Sequence, residues 1–490
     1  MTLTTRTLRS PAIPAILAFA IALWRIDVPS FWRDESVSVM AATMPLGELW
    51  ELLHHIDAVH ALYYLLLRPF AAFDGEFAAR LPSALAVAAA AFGVAAIGRR
   101  AAAPRTGAEA GTEARPEAGA EAGLFAGLVY AVLPMVSRYG QEARSYALVS
   151  AVAVAATWVL LGERRSRYAG YGLLVALLGW LHLYALLLLP AHAVIVARGR
   201  GRGEIVPWSV SVAGAGLLLA PLAVVASGQR DEQLFWLKVP GLGDLAGFGV
   251  EMVGGGQPWR ATPLPALLLA LLAALALLGA WYGRRSRTEA VAEAGTRTVA
   301  GAPSPVTVTV TMVAVPWLLL PVALSFLISQ VYPVYNARYV MFVLPAVALL
   351  AGAGLVALRR APLRWAVLAA LVALSATAHL AVRGPSARPD DLRALAAELS
   401  VRERPGDAVL YMPERFRLFV AVYGEPYDRL GPPGPGADRV WLVSRRVLGT
   451  EWLEDPRLRE LKRDFRKTGQ TRISGAVRIT LYTRRLPSEA

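Results

Sequence analysis

The stretch "VPSFWRDESVSVMAA", Val28 to Ala42, follows an apolar run that opens "PAIPAILAFAIALW" at Pro11. The chain leaves an apolar segment and at once sets Arg33, Asp34 and Glu35 side by side. An acidic pair at such an exit is ordinarily a solvated helix end. What the rest of the chain places at the same level decides whether this pair is more than that.

Composition fixes the class. Of 490 residues 56% are hydrophobic and 18% charged, with a mean hydropathy of +0.46. A water-soluble chain of this length could not bury that much apolar surface, so the sequence predicts a polytopic α-helical membrane protein. Cysteine is absent, which excludes thiol catalysis, disulfides and cysteine-ligated metal. The net charge of +14 comes mostly from arginine clusters flanking apolar runs. That pattern fits membrane orientation rather than nucleic-acid binding, so no nucleic-acid partner is expected. The first apolar run lacks a small-residue cleavage site and is read as a retained helix.

A window of about 20 residues gives about eleven spans, near 11–29, 80–98, 122–137, 146–162, 168–181, 183–197, 205–226, 263–282, 305–328, 339–357 and 363–383. The run from Tyr168 to Ala197 is divided because "ERRSR" precedes it and "RGRGR" follows it. A single span would strand one cluster on the wrong side, whereas two short spans meeting at "WLHLY" (Trp180 to Tyr184) put both inside. With the N-terminus cytoplasmic, the inner loops carry more Arg and Lys than the outer ones before the tail. Two inner stretches, Ala103 to Gly123 and Thr288 to Pro305, are rich in Ala, Gly and Glu and read as disordered connectors. The sequence therefore divides into a transmembrane domain, 1–383, with a long first external loop at about 30–79, and a tail, 384–490. The tail alternates a helical pattern ("DDLRALAAELSVRE") with strand patterns ("DAVLYM", "RVWLVS", "VRITLYT") and predicts a small external α/β domain. It holds no phosphate loop, metal spacing or histidine, and is expected to serve acceptor choice or stability.

Polar residues gather on the outer face. They occur in "FWRDES" (31–36), "AVHALYYLLL" (58–67), "SRYGQEARSYAL" (137–148), "HLY" (182–184) and "YNARYV" (335–340). The inner clusters are plain arginine runs without aromatic or amide company. Ionisable groups at membrane depth are costly and usually functional when they line a cavity. Each has a plainer reading: the arginines as headgroup anchors, Glu142 as their partner, His60 and His182 as satisfied interface groups, the tyrosines as an aromatic belt. Five loops converging on one face favour an outward-facing site.

In their order these motifs resemble the family 39 membrane glycosyltransferases of the GT-C superfamily, related to protein O-mannosyltransferases and to the lipid A aminoarabinose transferase. The resemblance covers roughly residues 10–380. It rests on the Asp34–Glu35 pair after the first span, a histidine segment running into "LYYLLL", "RLPSAL" (Arg80 to Leu85), "YGQEARSYAL" and the late "ARYVMFVLPAVALLAG". Many members carry His-Pro-Pro where this chain has His60-Ala61-Leu62. The resemblance implies a multi-pass protein of a bacterial plasma membrane that transfers a sugar from a polyprenyl-phosphate carrier to a lipid, glycan or protein acceptor on the extracytoplasmic face. A glycosyl phosphate brings its own leaving group, so the chemistry needs a base for the acceptor hydroxyl and cations for the departing phosphate. Asp34 is the candidate base, with Glu35 tuning its charge or positioning the acceptor, and a single displacement inverts the anomeric centre. Arg138, Arg144 and Arg338 are candidates for the phosphate; His60, Tyr63, Tyr139, Gln141, Glu142, His182, Tyr184, Asn336 and Tyr339 complete the candidate substrate contacts. The amphipathic "LGELWELLHHI" (Leu46 to Ile56) is expected to lie on the membrane surface. No cofactor is required; a divalent metal at the acids stays open, without a dedicated ligand set. The rival class, a transporter or flippase of lipid-linked sugars, calls for charges within spans, broken helices and inverted repeats; here the span interiors are nearly free of charge, polar residues crowd the outer edge and no inverted repeat is found.

Overall fold

A computed structural model of the chain describes residues 10–101, 114–164, 166–199, 202–234, 237–254, 263–297, 309–385, 387–414, 416–424, 433–434, 436–445, 455–473 and 477–485. Its contacts form two compact units. The first joins Met1–Trp24, Trp50–Tyr63 and Arg80–Leu380; the second joins Arg25–Leu49, Tyr64–Ala79 and Ala381–Ala490. The tail therefore shares its unit with two stretches of the first loop.

Helices are numbered in chain order: α1 Ala12–Leu23, α2 Arg33–Thr43, α3 Leu46–His55, α4 Ala61–Ala71, α5 Glu76–Ala101, α6 Ala114–Val132, α7 Pro134–Tyr139, α8 Tyr146–Leu160, α9 Arg167–Leu181, α10 Leu189–Gly199, α11 Ile205–Leu234, α12 Leu242–Gly254, α13 Leu264–Arg297, α14 Val310–Val331, α15 Leu344–Ala357 and α16 Ala361–Ala381. Among the described residues six helices are long and apolar enough to cross a membrane: Glu76–Ala101, Ile205–Gln229, Leu264–Arg285, Val310–Val331, Ala337–Ala357 and Ala361–Ala381. Shorter apolar helices occupy Ala12–Leu23, Gly119–Val132, Tyr146–Leu160 and Leu183–Gly199.

In the helical unit α15 lies at the centre and packs on α6 and α13. Gly279 and Gly354 allow this: a Cβ on either would fall 2.1 and 2.0 Å from the Leu350 and Leu275 carbonyl oxygens. In a bilayer the hydrophobic effect does not drive helices together, and such small-residue contacts supply the close packing instead. Prolines mark the breaks. Leu133 is extended (ψ 126°) ahead of Pro134, which opens α7, because a residue before proline is pushed out of the helical region. The helix over Arg167–Leu181 ends at His182 (φ −169°, ψ 106°). A 3₁₀ turn over Leu183–Leu188 follows, and α10 starts at Leu189 with Pro190 in its first turn, where a missing N–H costs nothing.

The Ala/Glu-rich connectors need correcting. Residues 102–113 and 298–308 lie outside the described part, but α6 begins at Ala114 and α13 runs to Arg297, so a helix enters each stretch expected to be a connector. Alanine and glutamate are strong helix formers, and an adjoining apolar helix removes the cost of nucleation.

In the second unit, strands β1 Ala408–Met412, β2 Arg439–Arg445, β3 Phe465–Arg472 and β4 Val477–Arg484 form one sheet in the order β1-β2-β4-β3. β1 and β2 are parallel, while β4 pairs antiparallel with both β2 and β3. Helix α17, Leu392–Arg402, covers one face through Leu392, Leu395 and Leu399. The other face takes Leu458 and Leu461 of α19, Pro456–Asp464. All of β1 is buried, as expected of a parallel strand covered on both faces. β3 has no strand pattern in the sequence: of "FRKTGQTR" only Phe465 is buried. It is an exposed edge strand formed by pairing with β4, and its Arg and Lys suit an edge that must not recruit another chain. The short helix α18, Phe416–Val420, buries Phe416 and Val420 and packs on α2.

Candidate active site

The helical unit gathers most of the residues singled out above. After α7 the chain turns through Gly140–Ser145 with every residue buried. Gly140 lets the turn pack closely there: a Cβ would meet the Val136 carbonyl and Val87 at 3.1 Å and Ala22 at 3.3 Å, so those neighbours would have to give way by a few tenths of an ångström. Gln141, fully buried, donates from Nε2 to the carbonyls of Ala22 (2.8 Å) and Trp24 (2.7 Å). Its amide thus caps the C-terminal end of α1, whose last carbonyls have no helical partner. Ser83 of the "RLPSAL" motif donates its hydroxyl to the Glu142 carbonyl at 2.7 Å. These ties fix the loop that carries Glu142 and Arg144, next to Arg138 in the last turn of α7.

Arg138 lies 3.9 Å from the buried carboxylate of Glu142. Arg144, 9% exposed, contacts His60 Nε2 at 3.0 Å. A guanidinium can only donate, so His60 accepts at Nε2 and is neutral there. Burial, then the charges of Arg144, His182 and Arg338, holds the His60 imidazole well below its ordinary value. His182 is lowered to about 3 by burial and then by Arg144 and Arg338. Both histidines are uncharged at neutral pH, and neither supplies a cation.

Around them stand aromatic rings from four segments. The Tyr146 ring centre is 5.1 Å from Tyr139, 5.8 Å from His182 and 6.3 Å from Tyr339, the last pair stacked. Tyr339 is also 5.1 Å from His182 and 5.9 Å from Tyr184, and Tyr184 hydrogen-bonds Ser325 at 2.5 Å. Asn336 accepts from the Arg338 backbone at 3.2 Å and caps the 3₁₀ turn Ala337–Val343. Trp317 secures that turn by donating to the Phe342 carbonyl at 2.9 Å. Tyr63 is buried in the same unit. The result is a group of two buried arginines, Arg138 and Arg144, with half-buried Arg338 amid neutral rings, able to accept an anion with fork geometry.

Two contributors were missed in the sequence. Gln229, buried near the end of the apolar α11, accepts from Ala58 N at 3.0 Å and donates to the Leu53 carbonyl at 2.8 Å. One amide thus clasps the turn that contains left-handed Asp57 (φ 62°) and delivers His60. Glu251 of α12 feels Arg138 and Arg338, which oppose the upward shift that desolvation gives its carboxyl. Neither stands in a motif; only the three-dimensional contacts single them out.

The acid pair belongs to the second unit. Trp32 is extended and α2 begins at Arg33, so Asp34 and Glu35 occupy the first helical turn, where the helix dipole favours carboxylates. Asp34 stays partly open, its side chain 20% exposed and 3.5 Å from Arg33. Glu35 is fully buried, with Arg388 at 3.9 Å. The neighbouring Arg33 reaches Asp390 at 3.4 Å, and Arg445 meets the same carboxylate at 2.6 Å. Two adjacent acids thus have different surroundings, one partly exposed and one held internally. Among the described residues no group of three or more His, Asp or Glu gathers as metal ligands.

A helical unit threaded by glycine contacts, an acid pair after the first helix and a small mixed sheet in the tail make up a fold that solved structures share. Two crystal structures of ArnT from Cupriavidus metallidurans share it, each with a TM-score of 0.56 and 13% identity. The apo form aligns with 96% of this chain and 97% of that one. The form bound to undecaprenyl phosphate aligns over 100% of both. No family model and no curated protein sequence matches the chain.

Proposed function

We propose that the protein is an integral membrane glycosyltransferase that moves a sugar from a polyprenyl-phosphate carrier to an acceptor hydroxyl on the extracytoplasmic face. The observation that carries this is the set of buried Arg138 and Arg144 and half-buried Arg338 among neutral histidines and tyrosines, a receptor for a phosphate attached to something apolar. The fold shared with a lipid-phosphate-bound structure supports it. In the reaction the acceptor oxygen attacks the anomeric carbon, Asp34 takes the hydroxyl proton, and the C–O bond to phosphate breaks with its electron pair leaving on the polyprenyl phosphate. The arginines neutralise that developing charge. The anomeric centre inverts. Glu35, buried beside Arg388, serves to hold the turn rather than to exchange protons. The carrier phosphate leaves as a dianion, which explains why cations, not a general acid, dominate the constellation.

Asp34→Asn keeps the shape and removes the basic oxygen. With purified protein and a polyprenyl-phosphate sugar, transfer is expected to fall by about 10² to 10⁴ while donor binding persists. Near-normal turnover in that variant would return Asp34 to an ordinary helix-end residue.

A further inference from the structure

We infer that the C-terminal domain positions the base-bearing helix, which gives the tail a part in the proposed reaction; this rests on the assignment of Asp34 as base. The segment from Asp27 to Arg33 leads into α2, and the tail takes up its polar groups in turn. Arg393 donates to the carbonyls of Asp27 (2.8 Å) and Val28 (3.3 Å). Ser30 Oγ accepts from the Leu392 amide at 3.1 Å and donates to the Phe31 carbonyl at 2.9 Å. The Phe31 amide donates to the Tyr423 hydroxyl at 2.7 Å. That hydroxyl in turn donates to Glu76, whose carboxylate also pairs with Arg393. Arg33 closes the series on Asp390, shared with Arg445.

These contacts are not scattered surface pairs. Asp390 is fully buried and Glu76 is 7% exposed. The Phe31 and Tyr423 rings adjoin at 6.0 Å. A segment of this kind has no regular structure of its own to satisfy its amides and carbonyls, so whatever satisfies them sets its course. Here that course sets where the first turn of α2 starts and therefore where Asp34 points. Tyr423 is central, because one hydroxyl both accepts from the segment and donates to the Glu76–Arg393 pair. Tyr423 and Asp390 are positioning residues: they act on the base through the backbone that presents it.

The test uses the full chain in lipid nanodiscs and two variants, Tyr423→Phe, which keeps the ring, and Asp390→Asn, which keeps the shape. Hydrogen exchange across residues 33–38 should quicken by about tenfold in both, because the N-terminal turn of α2 loses its fastening. Arg463→Ala, an exposed change on α19, should leave that exchange as it was. With a polyprenyl-phosphate sugar, kcat should drop by about 10- to 100-fold at unchanged donor KM, the size expected from a displaced catalytic group. Unchanged exchange in both variants overturns the fastening whatever the protein transfers. Faster exchange with unaltered kcat overturns its catalytic use. A wild-type protein inactive with every polyprenyl-phosphate sugar removes the proposed reaction, and then faster exchange leaves the tail as a purely structural brace, which also refutes positioning.

Discussion

Replacing Arg144 by glutamine tests the phosphate receptor most directly. The amide keeps a donor for His60 Nε2, now 3.0 Å from the guanidinium, but removes the charge. A hydrogen bond to a charged group is worth about 1.5–3 kcal/mol, and about 1.4 kcal/mol is tenfold in affinity. Polyprenyl phosphate should therefore bind roughly 10- to 150-fold more weakly. The histidines do not compensate. Arg144 is only the second cause of the low His182 value, after burial, so that ring remains neutral at pH 7 and supplies no replacement cation. The assay is a titration of the purified variant in nanodiscs with polyprenyl phosphate, followed by calorimetry, with the far-UV spectrum as a check on folding. Binding within about twofold of wild type by a folded variant would show that Arg144 does not meet the phosphate, since a charged contact is worth at least tenfold.

Gln229→Leu should weaken the same binding by several-fold without touching any arginine, because the His60 turn loses both of its clasps; unchanged affinity would deny that role. Arg388→Met removes a cation beside fully buried Glu35 and should destabilise the second unit by about 3–5 kcal/mol, read as a fall in its unfolding midpoint. His182 is lowered from 6.5 to about 3, so the unfolded state binds the extra proton within that window. Its contribution to stability is complete above pH 6.5 and is lost as pH falls towards 3, a slope that His182→Phe should reduce in acid titrations. Reporter fusions after Ser137, Ser227 and Arg383 should score external, and those after Arg100 and Arg285 internal; an internal score at Arg383 would overturn the proposed orientation.

Much of the fold was legible because its signals are local. Apolar run length marks spans, although the expected span 122–137 runs through the break that Pro134 imposes. The arginine clusters around Tyr168–Ala197 forced a division that the structure makes at His182. β3 was not legible because its order comes from its neighbour β4, not from its own side chains. The site shows the same contrast. Arg138, Arg144, His182 and Tyr339 announced themselves as polar groups beside apolar spans, and the structure brings them together. Gln141 and Asn336 share those motifs yet bond to backbone, capping α1 and the 337–343 turn. Nothing about an amide in sequence separates a cap from a ligand contact. Gln229 and Tyr423 act through partners 171 and 392 residues away, a separation that no periodicity encodes.

Arg33 and Asp390, 357 residues apart in the chain, have a consequence for biosynthesis. The segment around Asp34 is made well before its partners in the same unit. At about 5–20 residues per second, some 20–70 s pass before they exist. Throughout that interval the nascent protein carries the carboxylate of Glu35 without Arg388 to receive it. The second unit can close only after Asp390 and Arg445 have been made, so a chain cut short before them is expected to insert its helices without assembling the turn that holds Asp34.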